Sequence, residues 1–160
     1  MTAKPVPLSL KRKSSARLAA VQCFYRLRLT GEELNAETLL KDYITQWKDD
    51  HETGAHVMSR DAEPDKAFLR KLLDGLTGKR EDIDMLIKAS LGDKWTIERT
   101  SPLLLSLLAC AIYEMRYLAA LAPAIVIDEY VTLTGRFFGA QEVGFVNGLL
   151  DTLAKEGRAT

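Results

Sequence analysis

Apolar residues recur along most of this chain with the spacing of amphipathic helices. Between Ser14 and Arg28, the residues Ala16, Ala20, Cys23 and Leu27 share one arc, with Phe24 at its edge, while Leu18, Val21 and Tyr25 form a second. A helix with two apolar arcs is contacted on two sides. Ser14 or Ser15 is the expected N-cap. Lys13, Arg17 and Arg28 fall between the arcs and predict a cationic stripe. Leu39, Leu40, Tyr43, Ile44 and Trp47 mark a second helix, with Asn35 as its cap and a polar loop from Lys48 to Glu63 behind it. Phe68, Leu69, Leu72, Leu73 and Leu76 predict a third helix, with Pro64 in its first turn and a stop at Gly78. Ile83, Leu86, Ile87 and Leu91 predict a fourth, closed near Gly92.

Ser101-Pro102 reads as the cap and first position of a fifth helix. Its residues, from Leu103 to Ile112, are apolar all round, which places it at the centre of the fold. Ile125 to Thr132 is rich in β-formers, so a strand competes there. The helical spacing of Ile127, Tyr130, Val131, Thr134 and Phe138, and the segment's length, favour a sixth helix opened by Pro123. Val146, Leu149, Leu150 and Leu153 define a seventh, ending near Glu156. The expectation is an all-α fold of about seven helices, with residues 14–156 as one domain and residues 1–13 as a flexible basic arm. The pattern Phe68-x3-Leu72-Leu73-Asp74-x-Leu76 repeats as Phe145-x3-Leu149-Leu150-Asp151-x-Leu153, an echo that amphipathic helices also reach by chance.

A length of 160 residues suffices for a single buried core, and 47% hydrophobic with 28% charged residues is ordinary for a soluble protein. The longest apolar stretch, Pro102 to Tyr113, is too short to span a bilayer, and no secretory signal is visible. Cys23 and Cys110 lie in helical patterns and read as small buried hydrophobes in a reducing, cytoplasmic setting. His51 and His56 share a polar segment with Asp49, Asp50 and Glu52, but no further ligand spacing completes a metal site. Gly75 to Arg80 lacks the spacing of a phosphate-binding loop, and no activated-nucleophile motif occurs. A non-enzymatic protein without cofactor or metal is the expectation.

Charge changes this picture. The chain is formally neutral, with 22 basic and 22 acidic residues, yet residues 1–31 carry +7 and no acid, leaving −7 for the remainder. Such a basic end fits a polyanion, and affinity resting on it falls steeply with salt. Aromatic residues such as Tyr25, Phe137, Phe138 and Phe145 offer stacking faces for unpaired bases, though helical aromatics are more often core. Membrane-surface binding is the weaker use, because Pro5 and Pro7 interrupt an amphipathic arm.

Three segments together resemble the NusB family of bacterial transcription antitermination factors. Ala16-Arg17-Leu18-Ala19-Ala20-Val21-Gln22-Cys23-Phe24-Tyr25 is similar to the family's basic-led first helix with its A-x-Q-x-L-Y core. Ala111-Ile112-Tyr113-Glu114-Met115, then Pro123 and Ile127-Asp128-Glu129-Tyr130, resembles A-x-Y-E-L … V-P … I-N-E-A. Phe145-Val146-Asn147-Gly148-Leu149-Leu150-Asp151 is nearly F-V-N-G-V-L-D. The resemblance runs from about Ser14 to Glu156. It implies two helical bundles around the apolar central helix, and binding of boxA-type single-stranded RNA together with NusE, a ribosomal protein, to help RNA polymerase resist termination. It implies RNA contacts at Lys11, Arg12, Lys13, Arg17, Phe145 and Asn147, with Tyr25 second to these, and a NusE contact at Glu129. Where the family carries charged residues, this chain has Leu104, Leu105 and Ala109, and the lead-in Gln141-Glu142-Val143-Gly144 is one residue shorter. Two other readings share these residues. One is a protein-interaction module with altered partners. The other is an accessory domain of a ribosomal RNA methyltransferase, whose methyl-donor-binding sequence is not in these 160 residues.

Overall fold

Six α-helices make up the described part of the chain, which in this computed structural model is residues 5–53, 61–92 and 96–157. They are α1 (Leu8–Thr30), α2 (Ala36–Thr53), α3 (Lys66–Ser90), α4 (Pro102–Ile112), α5 (Pro123–Phe137) and α6 (Ala140–Lys155). A 3-10 turn (Ile97–Arg99) precedes α4 and a π-helical segment (Tyr113–Leu118) continues it. No strand occurs among the described residues, and no helix there is long and apolar enough to cross a membrane. The competing strand over Ile125 to Thr132 is therefore helix.

Helices α1 to α3 pack on one another, as do α4 to α6, and α4 joins the two groups through α1 and α3. The joining helix is α4 because its leucines face every neighbour: Leu104, Leu105, Leu107 and Leu108 are all buried. Each such side chain contributes about 2 kcal/mol of burial. Helix α1 packs closely on α4, and both helices carry small buried residues, Ala16, Ala19, Ala20 and Cys23 on α1 and Ser106, Ala109 and Cys110 on α4. Both cysteines are free and buried, and burial pushes the Cys23 thiol up to about 12.

Several boundaries differ from the sequence expectation. The third and fourth helices are one: α3 runs through Gly78. Leu69, Leu72, Leu73 and Leu76 before it and Ile83 and Ile87 after it are buried on the same helix. The glycine costs about 1 kcal/mol in a helix interior, less than their burial gains. Asp65, not Pro64, opens α3, its carboxylate accepting from the Phe68 N–H at 3.0 Å. Helix α2 extends to Thr53, into the expected loop; His56 lies outside the described residues. Helix α1 starts at Leu8, so residues 8–13 are helical rather than arm, and Ser14 and Ser15 are internal rather than caps. Pro7 supplies the start, its carbonyl accepting from Leu10 and Lys11. The caps expected at Asn35 and Ser101 form.

The π-helical segment ends at Ala119, in the left-handed region at φ 51°, whose N–H donates to the Glu114 carbonyl. It lays Tyr113 over Gly75 and Tyr117 beside Lys79, whose Nζ sits 5.5 Å from the ring centre. A Cβ at Gly75 would stand 1.8 Å from the Tyr113 ring. Gly75→Ala is therefore expected to displace that ring and cost about 1–3 kcal/mol, measured as a lower urea midpoint. An unchanged midpoint would mean the ring moves freely.

Candidate nucleic-acid interface

The basic residues near the start of α1 meet very different surroundings. Lys11 and Lys13 are exposed. The Lys13 ammonium stands 5.6 Å from the centre of the Phe68 ring. Arg12 is half-buried, and its Nε donates to the Glu63 carbonyl at 3.3 Å while its own carbonyl accepts from the Asp65 N–H at 3.0 Å. Arg12 thus ties α1 to the segment that opens α3.

Arg17 corrects the sequence reading. Its side chain is only 4% exposed. Its Nε and Nη2 donate to Glu114, the closest contact at 2.7 Å, and Nη1 reaches Glu129 at 3.4 Å. The Tyr130 hydroxyl donates to Glu114 at 2.8 Å. Burial alone would lower the Arg17 pKa, but hydrogen bonding to and the charge of Glu114 leave it raised. Burial first, and then the Glu114 carboxylate, hold the Tyr130 phenol neutral, well above its ordinary value. A buried charge is tolerated only when paired, so Arg17 serves the fold and presents no donors to phosphate. Arg28 is likewise committed, to Asp84 at 2.7 Å. Of the expected stripe only Lys13 stays exposed among the described residues, with Lys11 as its exposed neighbour near the start of α1.

Tyr25 is half-buried on α1. Phe145 packs against the core and lines a cleft of about 530 Å³ with Leu86, Ser90 and Gly148; Asn147 is exposed, about two turns from the start of α6. Lys11 lines a different cleft, of about 440 Å³, between α1 and α5. The two linings share no residue, so the structure does not bring Lys11 and Phe145 into one cleft. It does bring together Lys11 and Glu129, which the resemblance had assigned to different partners.

Glu114 was legible as a quoted motif residue but not as a site. It is the one acid between Glu98 and Asp128, inside the most apolar part of the chain. A lone charge in such a stretch signals a buried partner. His51, the candidate ligand that is described, instead stacks on Trp47 with ring centres 4.7 Å apart. No group of potential metal ligands occurs among the described residues.

A profile of the NusB family matches residues 14–155. The chain belongs to the NusB family. The transcription antitermination protein NusB of Novosphingobium aromaticivorans is 35% identical over 152 residues, covering 94% of this chain and 98% of the relative. The protein of the same name from Bradyrhizobium diazoefficiens is 28% identical over 158 residues, covering 97% and 92%. Among solved structures, NusB of T. maritima superposes with a TM-score of 0.69 at 22% identity, covering 98% of this chain and 96% of that one. NusB in a crystal structure with NusE and dsRNA gives 0.70 at 24% identity, covering 92% and 98%. These two similarities establish the NusB fold. Against the family pattern, Leu104, Leu105 and Ala109 are now explained as core: each is at most 3% exposed.

Proposed function

We propose that this chain is a transcription antitermination factor that binds boxA-type single-stranded RNA together with NusE and keeps RNA polymerase elongating in the cytoplasm. The observation that carries the RNA half of this reading is the start of α1. It has no side-chain cap and no acid in its first turn, yet it carries Lys11, Arg12 and Lys13. Cations near a helix N-terminus oppose the macrodipole and cost stability. With an external polyanion they and the open N–H groups instead act together. The arrangement is a local sacrifice that a phosphate backbone repays. The RNA contacts proposed are Lys11 and Lys13 first, with Phe145, Asn147 and Tyr25 as base-side candidates and Arg12 as the residue that holds the basic turn. NusE enters through the relatives' role and the solved complex with that partner.

The second reading, a protein-interaction module with altered partners, is favoured by one observation. Leu104, Leu105 and Ala109 offer no polar surface where the family has charge. Fluorescence anisotropy of a labelled boxA-type RNA separates the two. NusE should tighten RNA binding by about tenfold, the scale of ordinary coupling between sites. Absence of RNA binding both with and without NusE would leave the interaction module standing.

A further inference from the structure

The cleft that holds Lys11 also holds a carboxylate. It lies between α1 and α5, and Ser14, Asp61, Glu129, Thr132 and Arg136 line it with Lys11. Most of its charge is already committed. Arg136 pairs with Asp61 at 3.2 Å. Glu129 Oε2 accepts from the Ser14 hydroxyl at 3.1 Å and meets Arg17 Nη1 at 3.4 Å. Glu129 Oε1 takes none of these contacts, and its side chain is 35% exposed. Among the described residues Lys11 makes no ion pair. What the cleft offers a ligand is therefore one anchored acceptor beside one cation.

We infer that Glu129 is a base-reading residue: its Oε1 accepts a hydrogen bond from the exocyclic amino group of one RNA base whose phosphate Lys11 holds. This rests on the RNA-binding function proposed above and gives that surface a specificity. A basic protein side chain is the other occupant a carboxylate could take. It would enter against Lys11, with Arg17 already behind the carboxylate and Arg136 neutralised by Asp61, and like charges disfavour it. A neutral amino donor meets no such repulsion, and the nucleotide's phosphate is attracted to the same lysine. Adenine, cytosine and guanine carry an exocyclic amino group. Uracil presents carbonyl oxygens there, which would face the carboxylate lone pair to lone pair. The acceptor is held in place by Ser14 and Arg17, so the preference needs no rearrangement of the cleft.

The test is a coupling cycle between residue 129 and the RNA. Each amino-bearing base of a short labelled boxA-type RNA is replaced in turn by uracil, and binding is measured for the wild-type chain and for Glu129→Gln. Glutamine keeps the shape and still accepts from Ser14, and thermal melting checks that it folds. At one RNA position the replacement should cost the wild type about tenfold in affinity, the worth of one good side-chain-to-base contact. With Glu129→Gln, whose amide can also donate to uracil, the same replacement should cost less than about twofold. If no position couples to residue 129 while the wild type binds RNA, the inference is overturned and the RNA-binding function stands. If Glu129→Gln weakens NusE binding and leaves base preference unchanged, the residue belongs to the protein partner. A wild type that binds no RNA overturns both.

Discussion

Arg17→Met should lower folding stability by about 3–5 kcal/mol, a large share of the 5–15 kcal/mol typical of a domain. The substitution fills the space of the arginine stem but strips Glu114 of its charged partner. Glu114 is 2% exposed and, among the described residues, keeps the Tyr130 hydroxyl as its one side-chain donor. A buried carboxylate with one neutral donor is the costly species, so the loss comes from what is left behind. The double variant Arg17→Met/Glu114→Leu should recover most of the loss, because a buried pair replaced by apolar residues is near neutral. It leaves the Tyr130 hydroxyl unpaired, at about 1–3 kcal/mol, and Tyr130→Phe should remove that remainder. Urea unfolding of the single, double and triple variants checks the order. Were Arg17 a phosphate contact instead, the single variant would hold its urea midpoint and lose RNA affinity.

Lys11→Glu/Lys13→Glu should do the reverse, weakening RNA binding while the fold holds. Both side chains are exposed and neither makes an ion pair among the described residues. Losing two phosphate contacts on single-stranded RNA should flatten the plot of log affinity against log salt by about 1.4. With the added repulsion of two acids, affinity in about 0.1 M salt should fall by roughly 30-fold. Acids near the start of α1 also suit the helix dipole, so the melting temperature should stay level or rise slightly. Arg12→Gln makes the contrast, since it loses the bond to the Glu63 carbonyl and should cost stability more than affinity. An unchanged salt slope in the double variant would show that α1 does not carry the RNA.

Local chemistry explains what was readable before the fold was known. Asn35 and Ser101 cap their helices because the bond each makes is to an N–H three residues on. The even apolar coat of α4 marks the centre of the fold because every side of it meets another helix. The echo between Phe68–Leu76 and Phe145–Leu153 proves to be one burial pattern used twice. Leu72, Leu73 and Leu76 are buried, as are Leu149, Leu150 and Leu153, while both aspartates face solvent. Where local signals failed, a longer-range gain overrode them. Gly78 reads as a stop, but the buried residues on either side of it, from Leu69 to Ile87, carry the helix through it.

Periodicity, caps and the three family motifs determined the class of fold, the central helix and the family by themselves. They depend on residues a few positions apart, and such signals survive without knowing what packs where. The fate of each charge was decided only by the tertiary structure. Lys13 and Arg17 sit one turn apart on the same helix with the same formal charge. One reaches solvent, and the other is locked to a glutamate 97 residues away. The energy that separates them, the desolvation of a guanidinium against its pairing with Glu114, exists only once α1 and the π-helical segment after α4 are in contact. The packing of α1 on α3 likewise took Arg28 out of the basic stripe, and its packing by α5 set Lys11 and Glu129 in one cleft.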